Sequence, residues 1–398
     1  MQFSENVRQI EGSSTIAIAA KCRELRAQGR DVIDLGVGEP DFRTPEFIAQ
    51  AGIASIEEGL TQYPPVPGIA PLREAIAQSL TAQTGKRAEA AGIVVTSGAK
   101  QALFNACFAL FGPGDEVLLP VPYWTSYPAL IKLARAEPKY VPSTAEQGFK
   151  VSVADLERAF SPRVRGLILN SPSNPTGATY SRSELAALAD WARQRGIWVI
   201  SDEIYSRICF NAPRAASLLD VSDSMDHAVI VDGASKAYAM TGWRLGFSYT
   251  TKPLADKLNA LQSQITSGAS SPAQYAALAA YRDQAAADAA IRAMSSVFRM
   301  RRDQMLEHFR EHVPDLYCFP PDGAFYLWAR VDNFFTERVP DSAAFCSWVL
   351  EETDVALVPG SAFGDDAYVR LSIAASSESL EKAARRLGTL LNTASVST

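Results

Sequence analysis

Residues 228–249 read AVIVDGASKAYAMTGWRLGFSY, and the organisation of the chain can be worked out from this segment. The apolar runs 228–232 and 245–249 at its two ends have the length and composition of β-strands. Between them lie small residues, one lysine (Lys236) and an arginine (Arg244) eight positions further on. A lysine that directly follows an apolar strand among small residues is a candidate for a buried, reactive amine.

Apolar runs of the same kind recur upstream of this segment. Together they predict seven strands, at 93–96, 116–120, 138–141, 166–170, 198–202, 228–232 and 245–249. Helical patterns, such as those at 99–111 and 183–195, lie between most of them. Several strands are apolar throughout, which is expected when helices cover both faces of a sheet. The sequence therefore predicts an α/β fold with a doubly wound, mostly parallel, seven-stranded sheet.

The pattern changes after about residue 290. We predict a polar helix at 291–309, a proline-rich turn at 319–323, a strand at 324–330, a helix at 342–352, two short strands and a closing helix at 378–391. This succession is typical of a smaller α+β domain, and 398 residues are too many for one simple core. The predicted division is an N-terminal segment (1–45) packing on the small domain, a large ligand-binding domain (46–288) and a small C-terminal domain (289–398).

Composition argues against several classes of protein. Apolar residues make up 47% of the chain, and its net charge of −6 comes without a basic block that would bind nucleic acid. The five cysteines are scattered and form no CxxC pair, so neither a disulfide framework nor a zinc ribbon is indicated. No apolar run has the length of a membrane span, and residues 1–15 lack the layout of a signal peptide. We expect a cytoplasmic protein with neither a membrane nor a nucleic-acid partner.

The surroundings of Lys236 favour one cofactor. A lysine amine forms a Schiff base with an aldehyde, while a hydroxyl (Ser235) and a guanidinium (Arg244) hold a phosphate. Pyridoxal 5'-phosphate carries an aldehyde and a phosphate on one ring. The alternative is that Lys236 is an ordinary surface lysine.

Asp202 ends the apolar run 198–202, and a carboxylate at that end of a buried strand points into the crevice where α/β sheets bind ligands. Pyridoxal phosphate needs an acidic partner that keeps its ring nitrogen protonated. Tyr205, three residues further on, is placed to donate to the 3'-oxygen of the ring. The alternative is a helix N-cap aspartate followed by a packed tyrosine.

Three further loops follow strands at the same edge. The segment 170–177 offers the amide of Asn174 in a turn rich in proline. The segment 96–101 opens a helix whose N-terminus favours an anion, although Ser97 could be a simple cap. Trp124 follows the next strand and could stack on a flat ring, or it could belong to the core.

Arg370 interrupts an apolar strand of the C-terminal unit. An arginine in that position either forms a structural pair or grips a carboxylate with both of its terminal nitrogens. In the second case, the small domain would close over an amino acid.

Two other motifs are weaker. Gly36 and Gly38 lack the third glycine and the following helix of a dinucleotide-binding fingerprint, so NAD binding is not indicated. His308 and His312 are four residues apart on a predicted helix, a spacing that could bind a metal. Their charged neighbours are typical of a solvated face, and the sequence therefore predicts no metal site.

Taken together, these motifs resemble those of the class I/II aminotransferases, and most closely those of the bacterial aspartate aminotransferase branch. The resemblance runs from about residue 13 to residue 391. Its motifs are 35–42, 97–101, 122–127, 170–177, 201–205, 235–246, 359–364 and 369–372. It implies the fold of fold-type I enzymes, which use pyridoxal phosphate.

The resemblance also implies a role for each matching residue. Lys236 is the Schiff-base lysine and proton shuttle, Asp202 the partner of the ring nitrogen, Tyr205 and Asn174 partners of the 3'-oxygen, Trp124 the stacking residue, and Ser235, Arg244, Gly98, Ala99 and Lys100 the phosphate ligands. Tyr63 matches a phosphate-binding tyrosine that relatives contribute from the neighbouring subunit, which implies a homodimer with shared active sites. Arg370 takes the α-carboxylate of the substrate, with help from Asn174 and the backbone of Gly38.

For the side-chain pocket, the resemblance implies that Lys100 and the hydroxyls of Ser13 and Thr15 receive a distal carboxylate. Glu11, however, stands where some relatives carry a cation, and Asp232 stands where asparagine is frequent. The implied reaction transfers an amino group from an L-amino acid, aspartate or glutamate, to a 2-oxo acid such as 2-oxoglutarate by ping-pong kinetics. The alternatives are an aromatic or broad-range aminotransferase, a β-lyase or oxidase of the same fold, and a regulator that senses the cofactor.

Overall fold

The computed structural model describes residues 4–8, 10, 12 and 14–395. The strands are β1 (Ile33–Asp34), β2 (Ile93–Thr96), β3 (Glu116–Val121), β4 (Glu137–Pro142), β5 (Val164–Asn170), β6 (Trp198–Asp202), β7 (Ala228–Gly233), β8 (Gly246–Tyr249), β9 (Cys318–Phe319), β10 (Tyr326–Arg330), β11 (Val355–Ala356), β12 (Val358–Pro359) and β13 (Tyr368–Ser372). They form one large sheet and two smaller ones.

The α-helices are α1 (Glu5–Arg8), α2 (Ser14–Ala27), α3 (Glu46–Glu57), α4 (Ala70–Thr84), α5 (Ala99–Leu110), α6 (Tyr127–Leu133), α7 (Val153–Ala159), α8 (Arg182–Arg195), α9 (Leu218–Val221), α10 (Ala234–Ala237), α11 (Lys252–Ser263), α12 (Ser271–Arg282), α13 (Gln284–His312), α14 (Ser342–Thr353) and α15 (Ser377–Ser395). Within the described part of the chain, no helix is both long and apolar enough to cross a lipid bilayer.

The seven strands of the large sheet lie in the order β2-β8-β7-β6-β5-β3-β4. All neighbouring pairs are parallel except those that involve β8, which runs antiparallel to both β2 and β7. Each strand overlaps the segment predicted for it, so the expected mostly parallel, seven-stranded sheet is confirmed.

Helices cover both faces of this sheet, which explains the continuous apolar runs. In β5, Leu167 and Leu169 pack into a core shared with α3, α4, α8 and α12, whereas Ile168 between them packs into a core shared with α5 and α6. Because side chains alternate across a strand, a strand buried on both sides has no polar face. The carboxyl ends of the strands are left open for a site.

The C-terminal part contains an antiparallel sheet in the order β12-β13-β10-β9. Strand β1, near the N-terminus, pairs in parallel with β11. Helix α13 begins earlier than the predicted 291–309 because the side chain of Asp283 accepts a hydrogen bond from the Ala286 N–H, at 3.0 Å. The helix therefore runs across residue 288, where the large domain was predicted to end and the small domain to begin. The domain boundaries stay a prediction.

Glycine in β8 lets α5 begin directly against the sheet. Gly246 pairs with Gly233 of β7, and a Cβ placed on Gly246 would lie 2.3 Å from the Ala99 nitrogen at the start of α5. No side chain fits in that space. The N-terminus of α5 is consequently held at the edge of the sheet by close backbone contact.

We predict that Gly246→Ala lowers the free energy of unfolding by about 1–3 kcal/mol, because the added methyl group must push α5 away from β8. The matched control is Gly242→Ala, since a Cβ at Gly242 meets no atom within 4 Å. That variant should stay within about 0.5 kcal/mol of the wild type. Chemical denaturation of both variants measures the difference, and equal stability would contradict this explanation.

Candidate active site

A cleft of about 660 Å³ lies at the carboxyl ends of the central strands. Eleven of the residues predicted for the site line it: Gly38, Ala99, Lys100, Trp124, Asn174, Asp202, Tyr205, Ser235, Lys236, Arg244 and Arg370. These residues come from loops that are distant in sequence, and β13 of the C-terminal part contributes Arg370. The fold therefore brings most of the predicted residues to one place.

Lys236 lies on the short helix α10, directly after β7. Its Nζ donates a hydrogen bond to the Gly38 carbonyl oxygen at 2.5 Å and lies 5.8 Å from the centres of the Tyr205 and Phe325 rings. Burial lowers the pKa of the amine to about 8, with smaller effects from nearby charges. An appreciable fraction of Lys236 is therefore neutral near neutral pH and able to act as a nucleophile or a base.

Asp202 ends β6 and is 3% exposed. Its Oδ2 accepts a hydrogen bond from the Tyr127 hydroxyl at 2.7 Å, and its Oδ1 accepts one from the Ile204 N–H at 3.2 Å. Burial raises the pKa of Asp202 to about 6, although these hydrogen bonds oppose the shift. A buried acid of this kind stabilises a cationic partner, as the predicted ring-nitrogen role requires.

Two further carboxyl groups lie close to Asp202. Glu203 is 4% exposed, and its Oε1 accepts hydrogen bonds from the Leu218 N–H at 2.8 Å and the Ser201 hydroxyl at 2.9 Å. Burial raises the pKa of Glu203 to about 7. The pKa of Asp232 is also raised, first by burial and then by the charges of Glu203 and Asp202. Like charges this close together disfavour one another's ionisation, which adds to the effect of burial on these carboxyl groups.

The residues predicted to hold a phosphate form a cradle. Gly98, with a φ of +88°, precedes α5, and a Cβ added there would lie 2.6 Å from an Arg244 guanidinium nitrogen. Arg244 therefore packs directly over the glycine, and among the described residues the N–H groups of Ala99 and Lys100 have no hydrogen-bond partner. A helix N-terminus, a guanidinium and the hydroxyl of Ser235 are donors that suit a phosphate dianion.

Lys100 and Trp124 contact each other at the side of the cleft. The Lys100 Nζ lies 4.9 Å from the centre of the Trp124 ring, and Trp124 packs edge-on against Tyr127. Burial of part of the side chain, and then the Arg244 charge, lower the pKa of Lys100. Trp124 is therefore in place as one wall of the cleft, with a cation at its face.

Arg370 is 2% exposed and is held by fixed acceptors. One terminal nitrogen donates to the Asn174 Oδ1 at 3.0 Å, and the other donates to the Gly36 carbonyl oxygen at 2.7 Å. The guanidinium stacks on the Tyr326 ring at 4.4 Å, while its buried Nε has no partner among the described residues. A buried arginine without a carboxylate partner is suited to bind an anionic ligand.

Sequence reasoning missed two tyrosines of the site. The Tyr205 hydroxyl lies 2.8 Å from that of Tyr326, which also stacks under Arg370, and Tyr127 donates to Asp202. Tyr127 lies within the motif 122–127, so its position carried a signal. Nothing in the local sequence pairs Tyr326 of β10 with Tyr205.

Four of the predicted site residues are not among the eleven lining residues named above. Gly98 lies beneath Arg244, and Tyr63 is 95% exposed on a loop outside the cleft. Ser13 and Glu11 both lie outside the described residues. Thr15 lies in α2, but the structure does not describe its side chain. The Gly38 carbonyl oxygen faces Lys236, so the predicted contact with a carboxylate depends on the N–H of Gly38.

Comparison with known proteins confirms the resemblance. The profile of the family "Aminotransferase class I and II" matches residues 30–387. The chain is 39% identical to aspartate/prephenate aminotransferase of Nitrosomonas europaea over 401 residues, covering 98% of this chain and 100% of the relative. It is 38% identical to aspartate aminotransferase of Bacillus subtilis, covering 97% and 98%. The solved structure of aspartate aminotransferase from Thermus thermophilus with maleate superposes with a TM-score of 0.93 at 37% identity, covering 98% and 100%.

The buried Glu203 should make stability depend on pH. Between the usual glutamate pKa of 4.5 and about 7, the folded protein keeps a proton that the unfolded chain has lost, so the free energy of unfolding falls as pH rises through this interval. Glu203→Gln should remove this contribution, and its stability relative to wild type should therefore increase from pH 4.5 to pH 8. Exposed Glu57→Gln serves as the control. Parallel pH profiles of urea unfolding for wild type and Glu203→Gln would contradict the assignment.

Proposed function

Because this chain belongs to the class I and II aminotransferases, we propose that it transfers the α-amino group of aspartate or glutamate to a 2-oxo acid such as 2-oxoglutarate, with pyridoxal phosphate as its cofactor. The observation that carries this proposal is that Lys236, Asp202 and Arg370 line one cleft. An amine, a buried acid and a carboxylate-binding arginine are the groups that transamination of an amino acid requires.

The residues present fit the cofactor. Pyridoxal phosphate, when bound, supplies an aldehyde that combines with an amine and a ring that withdraws electrons from the attached carbon. Arg244, Ser235 and the N-terminus of α5 would hold its phosphate, and Trp124 would face its ring. Asp202 would hold a proton at the ring nitrogen, because a buried carboxylate is stabilised by an adjacent positive charge.

Lys236 would carry the protons of the reaction. Its lowered pKa of about 8 leaves a neutral fraction that would accept the α-proton of the amino acid, and the resulting ammonium group would then be able to donate a proton. The Gly38 carbonyl, 2.5 Å from the Nζ, orients the amine, and the centres of the Tyr205 and Phe325 rings lie 5.8 Å from it on the apolar side.

Arg370 would bind the α-carboxylate of the amino acid and of the oxo acid. Its two terminal nitrogens are already aligned by Asn174 and Gly36, and Tyr326 fixes the plane of the guanidinium. A preorganised arginine loses little entropy when it binds a carboxylate. With the α-carboxylate held there, the α-carbon would be oriented towards Lys236.

Charge in the cleft favours acidic substrates. Six of its lining residues are cationic and three carry carboxylates. Arg26 is engaged with the Val32 carbonyl, but Arg23 of the same helix makes no hydrogen bond or ion pair with another described residue. Lys100 and Arg23 are therefore the cations that we propose for a distal carboxylate. Two observations on relatives support this: the similar enzymes named above are aspartate or aspartate/prephenate aminotransferases, and that of Thermus was solved with maleate, a dicarboxylate.

We further propose that the enzyme is a homodimer. Tyr63 is 95% exposed, which leaves its hydroxyl available to the phosphate site of a second subunit. Exposed apolar side chains also occur on α3, at Ile53 and Ile56, a few residues before Tyr63. Sedimentation equilibrium should give about twice the chain mass of 43.0 kDa, and a monomer that retains full activity would exclude the shared site.

Lys236→Ala should lower kcat by at least roughly 10²–10⁴, because no other amine of the cleft is placed to move the proton. Lys252→Ala is the matched control, as Lys252 is exposed and pairs with Asp256 outside the cleft. The measurement is the conversion of the bound cofactor to its amine form after an amino donor alone is added. Stoichiometric conversion by wild type supports transamination, whereas release of ammonia without conversion would favour a lyase or an oxidase.

The acidic preference can be tested with two variants. Lys100→Ala and Arg23→Ala should each lower kcat/KM for aspartate by about 10–100-fold, as expected for loss of a hydrogen bond to a charged group. The same variants should change kcat/KM for alanine little, because alanine has no distal carboxylate. Equal losses for both donors would show that these residues do not bind the side chain of the substrate.

A further inference from the structure

The last two turns of α13 carry a cluster of potential metal ligands, none of which lines the cleft. His308, Glu311 and His312 each offer one ligand atom, and these three atoms lie within 4.8 Å of one another. The two imidazole rings are nearly parallel, with an angle of 7° between their planes and 6.0 Å between their centres. The sequence alone suggested a solvated face here, whereas the structure places one ligand atom of each of the three side chains in the same small region.

We propose that His308, Glu311 and His312 form a binding site for a divalent transition-metal ion such as Ni²⁺ or Zn²⁺. Two imidazoles and a carboxylate are ligands that both ions accept, and the remaining positions would be taken by water. Residues four apart on a helix lie on one face, so the two rings reach the same ion without a change in the backbone. The site rests on geometry independent of the proposed reaction.

Side-chain rotation is enough to complete the geometry. Ligand atoms that are 2.0–2.1 Å from a tetrahedral ion lie roughly 3.4 Å apart. The Nε2 of His312 is already 3.8 Å from the Glu311 Oε2. Closing the remaining distances requires each side chain to move by about an ångström, which rotation about its χ angles provides.

The state of the two histidines favours an incoming ion. The Nδ1 of His308 is buried and makes no hydrogen bond to a described residue, so an incoming ion would displace no protein partner from it. The pair lies at the C-terminal end of a 29-residue helix, where the aligned peptide dipoles favour a cation. Arg310, the nearest positive side chain in sequence, donates to the Leu306 carbonyl.

The site would be structural rather than catalytic. The carbonyl of His312 accepts a hydrogen bond from the Asn392 side chain at 2.9 Å, and a Cβ on Gly388 would lie 2.6 Å from that carbonyl. The end of α13 is thus packed on α15, and an ion held by three side chains of α13 would brace the last two turns of that helix. An ion that binds only the folded protein stabilises it.

The chain offers a matched control, because it contains three histidines and the third, His227, stacks on Trp198 away from this cluster. The test uses the tag-free holoenzyme on a column of immobilised Ni²⁺. Wild type and His227→Asn should be retained and elute with imidazole, while His308→Asn and His312→Asn should pass through. Asparagine is chosen for position 227 because His227 has a φ of +59°, which asparagine tolerates.

Thermal unfolding with free Ni²⁺ gives a second readout that a folding defect does not mimic. Saturating Ni²⁺ should raise the Tm of wild type by about 2 °C and leave that of His308→Asn unchanged. Retention of the His308→Asn and His312→Asn variants, or the absence of any Ni²⁺ effect on wild type, would overturn the proposal. Transamination by the same variants should equal that of wild type.

Discussion

The arrangement of the site depends on the burial of charged groups at the open end of a parallel sheet. Burial lowers the pKa of the Lys236 amine to about 8, so that part of it is neutral near neutral pH, and burial raises the pKa of Asp202 to about 6. The shift of Lys236 brings an amine that is ordinarily fully protonated close to the working pH, whereas the shift of Asp202 is opposed by any positive charge placed beside it. Without that burial, Lys236 would be a fully protonated surface amine with no nucleophilic or basic capacity.

The fold maintains this burial from several directions. Strands β6 and β7 end side by side, so Asp202 and the short helix α10 that carries Lys236 meet without long connections. The absence of a side chain at Gly246 and Gly98 lets α5 approach the sheet and Arg244 approach α5, which forms the cradle that we propose for the phosphate. The C-terminal part then supplies Arg370, whose geometry is set by hydrogen bonds to Gly36 and Asn174.

The sequence predicted the architecture well because the strands are short, apolar and regularly spaced. It also predicted which loops meet, since parallel strands place their carboxyl ends at one edge; the roles of the residues in those loops remain predictions. What it could not predict were contacts chosen by three-dimensional packing. Tyr127 reaches Asp202 across 75 residues, and Tyr326 reaches Tyr205 across 121. Helix α13 begins before the predicted residue 291 because Asp283 caps its N-terminus, a contact that the apolar pattern does not indicate.

The central claim is that one buried amine, that of Lys236, forms the covalent bond with pyridoxal phosphate. Borohydride reduction of the holoenzyme, followed by peptide mass spectrometry, tests it most directly. The account predicts a single stable pyridoxyl adduct on the peptide that contains Lys236, present before any amino donor is added and absent from Lys236→Ala. Reduction that leaves this peptide unmodified with excess cofactor, or that places the adduct on Lys100, would contradict it.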